Sequence, residues 1–94
     1  MTSFTVRVEL HNAVSSDYDL LYDKMKVKGF KKTITPGDGT RYYLPSAEYN
    51  YESNSKDRGE VRDLAYDIAK SVKKNPSVLV TESNGRTWKG LDET

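Results

Sequence analysis

Apolar and polar residues alternate over the first ten positions of the chain. A period of two places successive side chains on opposite faces of a β-strand, so this segment is predicted to be a strand with one buried face. The residues of the buried parity are Phe4, Val6, Val8 and Leu10. The residues between them, which we expect to face solvent or a partner, are Thr5, Arg7 and Glu9.

Residues 13–30 have instead the three-to-four-residue apolar spacing of an amphipathic helix. Ser15 or Ser16 is predicted to cap the N-terminus. Gly29 is predicted to end the helix, because glycine readily adopts the left-handed conformation. The predicted buried stripe is Tyr18, Leu21, Tyr22 and Met25.

A second helix is predicted to begin at Asp57, which can form a capping box with Glu60. The pair Asn75-Pro76 is predicted to end it, because proline cannot continue a helix. The predicted buried stripe is Val61, Leu64, Ala65, Ile68 and Val72.

Turn signals delimit the remaining strands. Residues 30–35 are predicted to form the second strand, and the two glycines of residues 36–39 predict a hairpin turn after it. The third strand is the tyrosine-rich segment 41–53, in which we expect a bulge or kink at Pro45, or else an edge position where no amide donor is needed. The fourth strand covers residues 77–83. Asn84-Gly85 then predicts a second hairpin, leading into a short fifth strand centred on Trp88.

The order of these elements predicts an α+β domain of the ferredoxin-like type, β-α-β-β-α-β. Its antiparallel sheet would carry both helices on one face, and the C-terminal residues would add a short β-hairpin extension. The chain has 94 residues and is predicted to form one domain, 1–94, with a modest core. The other face of the sheet would be open, and we expect function to lie there.

Composition excludes several classes of function. The net charge is only +1, from 15 basic and 14 acidic residues, so a general nucleic-acid binder with a strongly basic surface is not indicated. A local basic patch remains open. The chain has no cysteine, which excludes disulfides, thiolate nucleophiles and cysteine-based zinc sites. The apolar runs are too short for a membrane span or a signal peptide, so we expect a cytoplasmic protein with no membrane partner.

Four of the seven tyrosines lie within ten residues, Tyr42, Tyr43, Tyr49 and Tyr51. On the open face of a sheet such rings can stack on RNA bases. The first strand, however, has no aromatic residue at its outward positions, and tyrosine is common in strands of any function. We therefore predict structural roles for most of these tyrosines.

Two sets of residues are candidates for chemistry on RNA. A metal-independent ribonuclease needs a base for the ribose hydroxyl and a cation for the charge that develops on phosphorus, and His11 and Arg7 are predicted as this catalytic pair. The alternative is that His11 is a surface residue with a hydrogen-bonding role. A cluster of lysines is predicted to contact phosphates, or else to serve as a solvated helix end and strand edge. Its members are Lys24, Lys26, Lys28, Lys31 and Lys32.

Two further groups have other candidate roles. Asp17, Asp19 and Asp23 lie near the start of the first helix, where they can ligate Mg²⁺ or simply complement the helix dipole, and the second interpretation is favoured. No cofactor or metal is predicted. Trp88 and Arg86, in the predicted C-terminal extension, are candidates for binding a partner, including a second copy of the chain.

Several segments together resemble a family of small bacterial proteins that includes the GhoS-type endoribonuclease antitoxins. They are SFTVRVELH, YDLLYDKM with the following GF, YYLPSAEYN and VLVTESNGRTWKGL. The resemblance implies a ferredoxin-like domain similar to that of small CRISPR-associated nucleases. In the antitoxin itself it implies metal-independent cleavage of the messenger of a membrane toxin. Those nucleases typically place an aspartate at the end of the first strand, where this chain has His11-Asn12, so a metal nuclease of that type is disfavoured.

Three hypotheses for function follow from the sequence. The first is a GhoS-like endoribonuclease or RNA-binding antitoxin or regulator that uses Arg7, His11 and nearby basic groups. The second is a non-enzymatic interaction module that forms a homodimer through sheet edges or through the C-terminal extension. The third is a metal nuclease that uses the aspartates of the first helix.

Overall fold

The computed structural model describes residues 2–35 and 39–94, where the chain folds as a small α+β protein. In chain order its elements are β1 (Thr2–Glu9), α1 (Ser15–Val27), β2 (Thr33–Ile34), β3 (Tyr42–Tyr43), β4 (Glu48–Ser53), α2 (Arg58–Val72) and β5 (Ser77–Ser83). The predicted turn after the second strand falls mostly on residues 36–38, outside the described residues.

Strand β1 is the centre of a three-stranded antiparallel sheet with the order β4-β1-β5. Val6 lies opposite Tyr49 on one side and Val80 on the other, which sets the register of both pairs. The alternation predicted for β1 is confirmed: the four apolar residues of one parity, Phe4, Val6, Val8 and Leu10, are buried. They pack with both helices into one core.

The two helices lie where they are predicted, but in α1 only Leu21 and Met25 of the predicted stripe are buried, whereas Tyr18 and Tyr22 are each 39% exposed. Of the two helices, only α2 begins as predicted. In α2 the Asp57 carboxylate accepts from the Glu60 amide at 2.8 Å, and the Glu60 carboxylate accepts from the Asp57 amide at 3.0 Å. In α1 the predicted serine cap is wrong, because Val14 occupies the N-cap position. The Asp17 side chain instead accepts from the Val14 amide at 3.0 Å. Gly29 ends the first helical segment with φ of 93°, the left-handed conformation expected there.

The tyrosine-rich segment forms two strands rather than one. Residues on either side of Pro45 belong to different sheets: β3 pairs with β2 in a two-stranded sheet, whereas β4 pairs with β1. Proline has no amide hydrogen and cannot continue a ladder, so the expected kink becomes a complete break. The element order is therefore β-α-β-β-β-α-β instead of the predicted β-α-β-β-α-β.

The predicted C-terminal β-hairpin is wrong. After Gly85 the chain does not turn back along β5 but crosses the second face of the sheet, where Arg86 donates to Thr5 and Asn50. It then reaches β3, where Glu93 forms a single antiparallel bridge with Tyr42. Residues 84–94, called the C-terminal segment below, thus cover the part of the second face around Thr5 and Asn50, whereas Arg7, Leu79 and Thr81 stay exposed on it.

Candidate nucleic-acid interface

A cleft of ≈760 Å³ lies between the end of α1, the β2–β3 pair and the outer edge of β4. Its walls combine basic, aromatic and hydroxyl side chains. The lining residues are Tyr22, Lys26, Phe30, Lys31, Lys32, Thr33, Thr35, Arg41, Tyr43, Asn50, Glu52 and Thr94. We call this surface the basic cleft.

Positive charge predominates in the basic cleft. Three lysines and Arg41 line it, and Glu52 is the one lining residue with an acidic side chain. The backbone holds Lys31 firmly, since its amide donates to the Asn50 carbonyl at 2.8 Å and its carbonyl accepts from the Asn50 amide at 2.7 Å. Arg41 is oriented by the last residue of the chain, where its Nε donates to the Thr94 hydroxyl at 3.1 Å. Such a surface can attract phosphate groups although the chain as a whole is nearly neutral.

Two tyrosine rings in the basic cleft remain accessible. Tyr22 is 39% exposed and Tyr43 is 50% exposed. Phe30, by contrast, is buried and stacks on Tyr51 with ring centroids 4.4 Å apart. The cleft therefore offers exposed aromatic faces beside cations, the combination on which single-stranded nucleic acids stack.

The prediction that most tyrosines of segment 41–53 are structural fits their positions. Tyr49 and Tyr51 belong to the core. Tyr42 packs against Trp88 with ring centroids 5.5 Å apart. Tyr43 is the one of these four whose ring is exposed.

Lys32 has a structural role that its neighbours in the predicted lysine cluster lack. Its ammonium donates to the carbonyls of Pro45, Ser46 and Glu48 at 3.1, 2.7 and 2.8 Å. It also lies 4.6 Å from the centre of the Tyr49 ring, a cation–π contact. Burial lowers the pKa of Lys32 to about 8, and the Glu48 carboxylate opposes this effect. Lys32 therefore stabilises the connection between β3 and β4 through these contacts.

The predicted lysine cluster is divided between two surfaces. Lys24 and Lys28 do not line the basic cleft but flank a separate, mostly apolar groove of ≈430 Å³ between the helices. There the Lys24 ammonium donates to the Ser71 hydroxyl at 3.1 Å. Of the five predicted lysines, Lys26 and Lys31 therefore line the basic cleft, and their ammonium groups do not make the carbonyl contacts that Lys32 makes.

The predicted catalytic residues His11 and Arg7 lie outside the basic cleft and have different partners. His11 is exposed just beyond β1, with its Nε2 2.8 Å from the Ser77 hydroxyl. Arg7 pairs with the carboxylates of Glu9 at 3.1 Å and Glu48 at 3.4 Å. Two carboxylates beside one guanidinium reduce the positive charge that it presents to a phosphate. The catalytic role of this pair stays a prediction.

Of the three aspartates of α1, Asp17 lies in the first turn, where an acidic residue complements the helix dipole, and its side chain also accepts from the Val14 amide. Within residues 2–35 and 39–94, no group of three or more histidine, aspartate or glutamate side chains is placed to hold a metal ion.

Trp88 and Arg86 make contacts within the chain. Trp88 is half-buried against Tyr42 and, with Ile34, Leu44 and Leu91, lines a cavity of ≈350 Å³ under the C-terminal segment. The role of Trp88 and Arg86 in binding a partner stays a prediction, whereas the contacts observed here attach the C-terminal segment to the sheet.

Sequence reasoning did not identify Arg41, Tyr43 or Thr94 as members of one site. Arg41 and Tyr43 are two positions apart in the sequence, and a cation beside aromatic residues is a recognisable signal. Nothing in the sequence brings Thr94 to Arg41, because that contact joins residues 53 positions apart.

A scan against protein-family models and searches of curated proteins and of solved structures found no match to this chain. In the part of the chain that the structure describes, neither helix is long and apolar enough to cross a membrane.

Proposed function

We propose that this protein binds single-stranded RNA in the basic cleft. The observation that carries the proposal is the presence of Lys26, Lys31 and Arg41 in one cleft with the exposed rings of Tyr22 and Tyr43. The cations would contact the phosphate backbone and the rings would stack on bases. The resemblance to the family of the GhoS-type antitoxins is consistent with RNA as the ligand and stays a prediction.

The charge of the cleft sets the expected salt dependence. Three cations that contact phosphates correspond to a slope of log affinity against log salt of about −2 for a single strand. Each stacked base adds ~1–3 kcal/mol. We therefore expect binding that is weak to moderate and weakens with added salt, without the steep dependence of a strongly basic protein.

The test is a fluorescence-anisotropy titration of a short labelled single-stranded RNA with the protein and its variants. Arg41→Gln and Lys31→Gln each remove one charge from the cleft and should weaken binding about threefold to tenfold, with a shallower salt slope. Tyr43→Ala removes one stacking ring and should weaken binding at every salt concentration by about fivefold or more. Lys28→Gln removes the same charge from the other groove and is the matched control. Equal effects of Lys28→Gln and Lys31→Gln would contradict the proposal.

Cleavage is a separate part of the proposal. In the predicted reaction His11 takes the proton of the ribose 2′-hydroxyl, the 2′-oxygen attacks phosphorus, and the 5′-oxygen leaves and takes a proton from water. Arg7 would stabilise the charge on the phosphoryl oxygens. The test is incubation of RNA with His11→Ala and with the unmodified protein in the presence of a metal chelator. Equal loss of RNA with both proteins, or none with either, would contradict a role for His11.

The finer description of the fold is also a proposal. We assign the ferredoxin-like topology because β5, β1 and β4 are neighbours in that order and all antiparallel. In addition, Lys31, which precedes β2, forms an antiparallel bridge with Asn50 of β4. In a ferredoxin-like sheet the remaining strand pairs with this edge of β4. In this protein the pairing is reduced to the single bridge between Lys31 and Asn50. An experimental structure in which residues 30–35 lie away from β4 would contradict the assignment.

A second candidate function is self-association through β5. This strand is at the edge of the sheet and has no lysine or proline of the kind that protects edges, and its Leu79 is 63% exposed. Two copies paired antiparallel about Leu79 would bury both leucines. Leu79→Lys should then lower the molar mass measured by light scattering, whereas Val27→Lys, at an exposed position of α1, should not. A monomeric mass for the unmodified protein at high concentration would exclude this candidate.

A further inference from the structure

A second cavity, of ≈330 Å³, adjoins the basic cleft at the point where the C-terminal segment leaves β5. Asn50, Glu52 and Thr35 line both spaces. The cavity also contains Arg86 and the residues Ser3 and Ser83, so its wall is rich in hydroxyl, amide and guanidinium groups. We call it the Arg86 cavity.

Arg86 is fixed by two hydrogen bonds that leave much of its guanidinium unused. Its Nε donates to the Thr5 hydroxyl at 3.0 Å, and its Nη2 donates to Asn50 Oδ1 at 2.8 Å. A guanidinium has five N–H donors, and among the residues that the structure describes no partner is found for the two donors of Nη1 or for one of the donors of Nη2. These three include one of the paired edges that bind carboxylate or phosphate in a bidentate manner.

The charge of Arg86 lacks a close counterion. Among the residues that the structure describes, no carboxylate lies within ion-pair distance of its guanidinium. Burial lowers the pKa of Arg86, with Glu52 and Glu48 opposing the effect, but a guanidinium stays protonated at neutral pH. A half-buried cation held only by neutral oxygens is suited to bind an anion.

Asn50 contributes a further donor. A guanidinium only donates, so the atom that it contacts must be Oδ1. Within residues 2–35 and 39–94, the two N–H groups of the Asn50 Nδ2 amide have no partner and can bind a ligand. Glu52 is the opposing group, because its carboxylate lines the same cavity, where it accepts from Ser3 at 3.4 Å. An anion with one negative charge is therefore favoured over one with two.

We infer that the Arg86 cavity is a binding site for a phosphate group, held by the free edge of Arg86 and by the Asn50 amide. The phosphate can be a free ion or the phosphodiester of an RNA that continues out of the basic cleft. The second source rests on the proposed function, whereas the site itself does not. In this arrangement Arg86 has two roles, because it also attaches the C-terminal segment to the sheet.

The test follows NMR signals of the whole protein during a titration with inorganic phosphate. We expect the Arg86 Nε–H and the Asn50 side-chain amide signals to shift and saturate in the low millimolar range, about 1–10 mM. Glu52→Gln removes the opposing charge and should tighten binding about fivefold. Arg62→Gln, at an exposed arginine of α2, is the control and should leave the affinity unchanged.

Asn50→Asp separates the two roles of Arg86. The new carboxylate would pair with the guanidinium and occupy its charge, so phosphate binding should be lost while the C-terminal segment stays attached. Attachment is read from the hydrogen exchange of the Tyr43 amide, which donates to Asp92. An absence of phosphate-induced shifts at Arg86, or a Glu52→Gln variant that binds phosphate no more tightly, would overturn the inference.

A parallel titration with single-stranded RNA identifies the source of the phosphate. Shifts at Arg86 with both ligands, with competition between them, indicate the phosphodiester, whereas shifts with phosphate alone indicate a free ion, and both results support the site. RNA that shifts Lys31 and Arg41 while phosphate leaves Arg86 unmoved overturns the site but not the proposed function. Phosphate binding at Arg86 with no RNA-induced shift supports the site and contradicts the proposed function.

Discussion

Replacing Lys32 by methionine tests whether this lysine is a structural residue rather than an RNA contact. The substitution keeps the length of the aliphatic stem but removes the ammonium that donates to the carbonyls of Pro45, Ser46 and Glu48. It also removes the cation from the Tyr49 ring. A hydrogen bond from a charged donor contributes ~1.5–3 kcal/mol. Water can replace the lysine at the exposed Pro45 and Ser46, so the net loss should be smaller than the sum.

We expect Lys32→Met to lower the free energy of unfolding by about 1–2 kcal/mol at neutral pH. For a domain of this size that corresponds to a fall in the melting temperature of about 5–10 °C. Circular dichroism during heating measures it. Lys31→Met is the matched control, because Lys31 is the adjacent residue and has an exposed side chain, and its pairing with Asn50 uses the backbone only.

The same residue predicts a dependence on pH. The pKa of Lys32 is lowered from 10.5 to about 8 in the folded protein. Between these values the unfolded chain retains a proton that the folded chain has released, so the free energy of unfolding rises with pH across this interval. This lowering of the Lys32 pKa corresponds to a change in the free energy of unfolding of at most about 3 kcal/mol. Because the side chain is partly exposed, we expect a rise of about 1 kcal/mol.

Chemical denaturation at pH 7 and at about pH 9.5 measures this rise, which Lys32→Met should abolish and Lys31→Met should retain. The reasoning would be refuted by a Lys32→Met variant that unfolds at the same temperature as Lys31→Met and keeps the pH dependence of the unmodified protein.

Three further predictions concern other parts of the molecule. Burial raises the pKa of Tyr49 from 10.0 to about 12, with Tyr22 and Tyr18 adding to the effect, so the stability that Tyr49 contributes is complete below pH 10 and is lost as pH rises towards 12. Denaturation of Tyr49→Phe over this range should show a smaller loss, and an equal loss would contradict the assignment. Asp57→Ala removes the N-cap of α2 and should cost about 1 kcal/mol in chemical denaturation, whereas Asp67→Ala, at an exposed position inside the same helix, should cost much less. Trp88→Ala removes the ring that packs on Tyr42, so the Tyr43 and Thr94 amides should exchange faster by hydrogen-exchange NMR while the β1 amides keep their protection. Uniformly faster exchange would indicate global destabilisation instead.

Much of the fold could be predicted because its determinants are local. The alternation in β1, the stripe of α2 and the Asp57–Glu60 capping box each depend on residues a few positions apart, and all three are present in the structure. The sequence predicts a bulge or kink at Pro45, since the missing amide hydrogen is a property of the residue itself, but it does not predict the complete break. The strands before and after Pro45 pair with different partner strands and so belong to different sheets. No local sequence pattern determines those partners.

The candidate site was predicted less well. The lysines near the end of α1 look alike in the sequence, yet Lys31 faces the basic cleft, Lys28 faces the groove between the helices, and Lys32 binds three carbonyls. These differences arise from where β4 and the β3–β4 connection lie relative to α1. A charged residue in the sequence identifies its possible partners only by type, and tertiary structure selects among them.

By itself, then, the sequence determined the positions of the helices and most strands and the buried faces of β1 and α2, because periodicity reports burial directly. In α1 it determined only part of the buried face, since Tyr18 and Tyr22 are exposed. Only the tertiary structure decided what covers the second face of the sheet. Asn84-Gly85 is a strong local hairpin signal, but the segment after it finds more partners across the sheet: Arg86 reaches Thr5, 81 positions away, and Asn50, 36 positions away. Contacts so distant in sequence leave no local pattern, and both the basic cleft and the Arg86 cavity are formed by them.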